Sequence, residues 1–127
     1  MEPYKLHFKV RDYECDLQGI VNNANYQHFL EHARHEYIQT LGLSFSELHD
    51  KGIDFVVARL EMAFKTPLKS KDCFSVTVDM KKEGLRWVFR QNIYREPDLT
   101  LVVKAKVDAV CLVNGKLQDF DLFATAK

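Results

Sequence analysis

The chain of 127 residues has the size of one domain, and its 46% hydrophobic and 28% charged residues are those of a folded globular protein. Its 18 basic and 18 acidic residues cancel, so no global field draws it to nucleic acid or to a membrane, and any anion site must be a local cluster. Cys15, Cys73 and Cys111 are odd in number, widely spaced and without a CxxC pair. That is poor material for a disulfide framework or a cysteine zinc site and suits a reducing, cytoplasmic compartment.

At the N-terminus Tyr4, Leu6, Phe8 and Val10 alternate with Lys5, His7, Lys9 and Arg11. Strict alternation predicts a strand with one buried face and is unlike the continuous apolar stretch of a signal peptide. Residues 16–25 break the pattern with Gly19 and a group of asparagines, as a functional loop does. From Tyr26 the period changes: Tyr26, Phe29, Leu30, Ala33, Tyr37 and Leu41 recur at steps of three and four, which predicts a helix over 26–41 with Gly42 as its stop. A short helical piece is expected over 46–50, capped by Ser44 or Ser46.

Alternation then returns. Val56, Ala58, Leu60, Met62 and Phe64 predict a strand ending at Thr66-Pro67. Phe74, Val76, Val78 and Met80 predict the next, with a turn at Gly84. Leu85, Trp87, Phe89 and Ile93 make a third, and the run from Leu101 to Val113 a fourth, ending in the hairpin signal Asn114-Gly115. No run approaches the roughly 18 apolar residues that cross a bilayer. One strand, one long apolar helix and four antiparallel-looking strands predict a single α+β domain over 1–127. The helix and sheet bury each other most simply if the sheet curls around the helix.

Several side chains invite chemistry. His28, His32 and His35 lie at helical spacing, but nothing is spaced to complete a metal set, and a solvated face is the plain reading. Cys15 has no base nearby to activate its thiol. Glu31 and Arg34, three apart on the helix, read as a surface ion pair. Tyr13 could line a pocket or be an ordinary aromatic.

The segment between first strand and helix is the most specific. Asp16, Gly19, Ile20-Val21, Asn22-Asn23 and Tyr26 stand in the order and spacing of a known fingerprint. In this segment the chain resembles the hotdog-fold acyl-CoA thioesterases of the 4-hydroxybenzoyl-CoA thioesterase type. Glu31-His32-Ala33-Arg34 is similar to the acidic-Ala-Arg stretch of that family's helix, and Phe64-Lys65-Thr66-Pro67-Leu68 to its second strand and exit.

The resemblance implies a hotdog fold, a curved antiparallel sheet wrapped around one long central helix. It implies a homodimer or homotetramer with sites at protomer interfaces, and no metal or organic cofactor. It also implies hydrolysis of an acyl-CoA thioester to a carboxylic acid and free coenzyme A. Asp16 is then the carboxylate that attacks the carbonyl or activates water. The backbone N–H of Asn23, in the first turn of the helix, polarises the carbonyl oxygen. Some members carry histidine where this chain has Asn23, which leaves a backbone role open to it.

Gly19, Val21, Asn22 and Tyr26 are expected to line the substrate site, with Gly19 permitting a sharp turn; Asn22, Asn23 and Asn25 also suit plain capping and turn roles. Coenzyme A carries phosphates, so basic residues are expected at the mouth. Arg59, Lys65, Lys69, Lys71, Lys81 and Arg90 are candidates, and Lys82 and Arg86 beside Gly84 are preferred. Two other readings stand beside this one. The first is hydrolysis of an acyl-carrier-protein thioester, with a docking surface for an acidic carrier. The second is a non-catalytic acyl-CoA-binding module of the same fold.

Overall fold

A computed structural model describes residues 4–121. The elements follow in the order β1 (Tyr4–Lys9), a 3-10 turn (Asp12–Glu14), α1 (Asn23–Thr40), α2 (Phe45–Asp50), β2 (Ile53–Phe64), β3 (Cys73–Glu83), β4 (Arg86–Glu96), β5 (Thr100–Val113) and β6 (Lys116–Leu117). The strands form one antiparallel sheet in the order β1-β3-β4-β5-β2, with β6 paired to β5. The sheet curls around α1, as the single long helix predicts.

The burial pattern explains the curl. Phe74, Val76 and Val78 on β3, Trp87, Phe89 and Ile93 on β4, and Val103, Val107 and Ala109 on β5 are all buried. They meet Tyr26, Phe29, Leu30 and Ala33 of α1 in one hydrophobic core. Rings lock the β1 side: Phe8 stacks on Phe74 at 5.0 Å, and Phe29 tilts onto Phe74 at 4.8 Å.

One buried polar group crosses this core. Gln91 on β4 is 1% exposed. Its Nε2 donates to the Leu30 carbonyl at 3.0 Å, and its Oε1 accepts from Arg34 Nη1 at 3.0 Å. Arg34, expected as half of a surface ion pair with Glu31, turns inward over the Phe89 ring instead. Burial of that guanidinium lowers its pKa, while Glu31 opposes the shift. An amide on the sheet thus supplies the acceptor that the half-buried cation needs.

Two element boundaries move. The helix begins at Asn23, because Asn22 caps it: the Asn22 side chain accepts from Ala24 N at 2.9 Å. Its first three residues, Asn23, Ala24 and Asn25, carry no large apolar side chain, so apolar spacing could not reveal it. The short helix starts one residue before the expected piece, at Phe45, with Ser44 as cap.

The second strand differs more. The register slips between Val57 and Arg59, which is a β-bulge. Val57, Leu60, Met62 and Phe64 therefore face the helix side, opposite Ala109, Val107, Ala105 and Val103, while Val56 faces outward with Arg59. Simple alternation put Val56, Ala58 and Leu60 on one face. β2 is also a sheet edge, and Val57, Leu60 and Phe64 stay 49%, 37% and 51% exposed. No described helix is long and apolar enough to cross a membrane.

Candidate active site

The segment after the 3-10 turn is built by backbone hydrogen bonds on both sides. Cys15 and Val21 form an isolated antiparallel bridge, as do Ile20 and Lys69. Asp16 N–H donates to Ile20 O at 2.9 Å, and Gly19 N–H donates to Asp16 O at 3.0 Å. Between them the chain reverses at Gly19, whose φ of +81° is the left-handed conformation that favours glycine.

The turn orients the carboxylate. Gln18 N–H donates to Asp16 Oδ1 at 2.8 Å, leaving Oδ2 open to solvent chemistry. Asp16 is exposed, and its neighbour Leu17 is fully exposed. Tyr13, 75% exposed, lies against Arg11, which donates to its hydroxyl at 2.6 Å. It lines none of the described protomer core.

Glu14 and the asparagines fasten the helix start. Asn22 N–H and Asn25 Nδ2 both donate to the Glu14 carbonyl, at 3.0 and 2.8 Å. Asn22 takes up Ala24 N–H through its side chain and Asn25 N–H through its carbonyl. The Asn23 N–H is given no partner by this network, and the Asn23 side chain is exposed. A donor at a helix N-terminus without a partner is suited to an anionic oxygen.

Beside this terminus lies a cleft of about 250 Å³, walled by Ile20, Val21, Asn23, Tyr26, Phe64 and Lys65, with Thr66 and Pro67 completing it. Val21 is buried and donates its N–H to Leu68 O at 2.8 Å. Tyr26 is 3% exposed; its ring faces Phe64 at 5.7 Å, and its hydroxyl accepts from Leu68 N–H at 3.0 Å. Tyr26 therefore offers the cleft its ring, while its oxygen serves the core.

Of the expected residues, Asp16, Gly19, Val21, Asn22, Asn23 and Tyr26 come together at this end of the fold. Lys82 and Arg86 lie at the other end of β3, an 11-residue strand or roughly 36 Å at about 3.3 Å per residue. Lys82 pairs with Asp119, and Arg86 Nη1 with the buried Asp108 Oδ2 at 2.9 Å. Within one protomer the basic residues at the Asp16 end include Lys65 in the cleft wall and Lys69 bridged to Ile20, with Arg11 and Lys71 beyond the 3-10 turn.

The side chains weighed for other chemistry have ordinary neighbours. His32 lies 3.7 Å from Glu36 and edge-on to Phe8, and His35 sits edge-on to Phe45. Burial, ahead of the charges of Asp12 and Asp16, pushes the Cys15 thiol up, opposite to the shift that activates a nucleophile.

Comparison with known proteins agrees with this architecture. A family model described as the thioesterase-like superfamily matches residues 10–123. The chain is 35% identical over 114 residues to the acyl-acyl carrier protein thioesterase ATL3, chloroplastic, of Arabidopsis thaliana, covering 89% of this chain and 60% of the relative. It thus spans 60% of the length of that relative and of its counterpart ATL2. It is 31% identical over 105 residues to the long-chain acyl-CoA thioesterase FadM of Escherichia coli (strain K12), covering 82% of this chain and 79% of that one. Among solved structures, a hypothetical protein from Aquifex aeolicus superposes with a TM-score of 0.89 at 27% identity, covering 97% of both chains. The fold is the hotdog fold, and the chain belongs to the thioesterase-like superfamily.

Proposed function

We propose that this protein hydrolyses an acyl thioester of coenzyme A, giving a carboxylic acid and the free thiol. The observation that carries the reading is the pairing of an oriented carboxylate with an unpartnered helix-terminal donor. Asp16 is held through one oxygen by Gln18 N–H, and the Asn23 N–H, without a partner among the described residues, lies beside a cleft bounded by Ile20 and Phe64. Relatives named as acyl-CoA thioesterases, FadM among them, support the same chemistry.

In this scheme Asp16 adds to the thioester carbonyl or takes the proton of a water that does. The carbonyl oxygen becomes an oxyanion and receives the Asn23 N–H. Collapse of the tetrahedral intermediate breaks the carbon–sulfur bond, and the sulfur leaves to be protonated. If Asp16 was the nucleophile, water cleaves the resulting anhydride and restores it. No metal or organic cofactor enters the scheme. In this reading Lys65 and Lys69 meet the phosphates of a substrate bound at the same protomer, and Lys82 and Arg86 serve only a site contributed by another.

The reading includes a homodimer or homotetramer. Its support is the edge strand β2, whose Val57, Leu60 and Phe64 are exposed on the side facing the α1 seam. Pairing of two such edges would extend the sheet and cover that surface. A cytoplasmic location goes with three free cysteines.

A second reading, a carrier-protein thioester as substrate, is favoured by the 35% identity to ATL3, a named acyl-acyl carrier protein thioesterase. Thiol release measured across short, medium, long-chain and aromatic acyl-CoAs, with carrier-linked substrates alongside, tests both. Turnover of an acyl-CoA supports the first reading and turnover confined to carrier-linked substrate the second. Tight acyl-CoA binding without any thiol release would make the protein a binding module.

A further inference from the structure

The two edges of the sheet are opposite in character. β2 exposes apolar side chains, whereas β1 exposes Lys5, His7 and Lys9 at alternate positions, and Arg11 continues the row into the 3-10 turn. Next to the row a groove of about 660 Å³ is lined by Leu6, Lys9, Arg11, His32 and Lys71, with Asp12 its one carboxylate.

The row is only partly neutralised by its own chain. His7 Nδ1 lies 3.0 Å from Glu96, and Arg11 Nε lies 3.8 Å from Glu14. Lys5 and Lys9 stand opposite Thr77 and Cys73 in the register, and neither has an ion-pair partner among the described residues. Two free ammonium groups therefore face solvent on a strand edge in a chain with no net charge.

Three observations identify what fits there. A second copy does not, because pairing β1 with itself sets like charges across the strand junction. An acidic surface does, by complementarity. The row also leads directly to the catalytic segment: Val10 O accepts from Lys71 N–H at 3.1 Å, and the chain then runs through Asp12–Glu14 to Asp16.

Resting on the carrier-linked reading above, we propose that the outer row of β1 is the docking surface for an acidic carrier protein that presents its thioester to Asp16. The phosphopantetheine arm of such a carrier would enter at the Asp16 end of the sheet, where the cleft beside α1 opens. Long-range attraction to the row speeds the encounter, so its contribution appears in kcat/KM and is screened by salt.

The test uses the full chain, one acyl group and two carriers of it, acyl-CoA and acyl carrier protein. The double variant Lys5→Glu, Lys9→Glu reverses the row's free charge but keeps a charged, self-repelling edge. Its kcat/KM on acyl carrier protein should fall about tenfold or more at low salt, through KM, with the difference from wild type vanishing at high salt. Its kcat/KM on acyl-CoA should fall clearly less, by no more than about threefold at low salt, since this small anion feels the field of the row but does not dock on it. Equal losses on both substrates, or no loss on either, would overturn the proposal; so would a change in oligomeric state, which would make the edge an interface between copies. Should the wild type turn over neither substrate, the thioesterase reading fails by itself. Binding of the unacylated carrier to wild type and variant then still decides the row: weaker binding by the variant supports docking, and equal binding or none rejects it.

Discussion

The Tyr26 hydroxyl accepts a hydrogen bond from the Leu68 N–H at 3.0 Å, while the Leu68 carbonyl accepts from Val21 N–H at 2.8 Å. Leu68 is fully buried. Both of its backbone polar groups thus tie the exit of β2 to the segment that carries Asp16 and to the first turns of α1. Burial raises the Tyr26 pKa, and the hydrogen bond from Leu68 opposes that shift.

Tyr26→Phe removes that acceptor and leaves a buried N–H without a partner, which costs about 1–3 kcal/mol. Denaturant unfolding should report the loss as a lower midpoint with an unchanged slope. Stability equal to wild type would show that the bond to Leu68 contributes nothing net.

Asp16→Asn keeps an oxygen that can accept from Gln18 N–H, so the turn should persist. The substitution deletes the charge and hence both base and nucleophile. General base catalysis is worth roughly 10²–10⁴ in rate, so kcat should drop at least about a hundredfold with little change in KM. A folded variant keeping about half its turnover would leave Asp16 as a turn residue alone.

Asn23 separates backbone from side chain. Asn23→Ala retains the N–H and should stay active. Asn23→Pro deletes it at the first helical position, where proline is well tolerated. The preceding Asn22 already has the extended φ of −63° and ψ of 137° that proline requires of its neighbour. The helix should therefore survive, as circular dichroism would confirm, while kcat falls by about 10²–10³ for loss of one oxyanion donor. Severe, equal losses in both variants would assign the role to the side chain.

The oligomer proposal concerns the other edge. Leu60→Lys places a charge among the exposed apolar residues of β2, at a position the protomer leaves 37% open. Wild type should sediment as a dimer or larger at micromolar concentration, and the variant should shift toward monomer and lose activity with it. A wild type that is active and strictly monomeric would remove the interface from the reading.

Period was enough to establish the main elements, and the fingerprint from Asp16 to Tyr26, through a family resemblance, marked the candidate segment. The two-residue period of β3, β4 and β5 is that of strands buried on one face, and Trp87, Phe89 and Ile93 indeed meet the helix. The spacing from Asp16 to Tyr26 is local, so the turn at Gly19 and the cap at Asn22 follow from neighbouring residues. What lay beyond the sequence depended on contacts between distant segments. The bulge beside Ala58 moves Val56 to the outer face, and alternation has no means to register an extra residue before the partner strand is known. Arg34 turns inward because Gln91, 57 positions away, supplies an acceptor there. Lys82 and Arg86 flank a turn as expected, but sheet pairing carries that turn to the end of β3 remote from Asp16. Exposure of β2 and the charge left free on β1 were likewise decided by strand order, since a strand's own residues do not say which strands become edges.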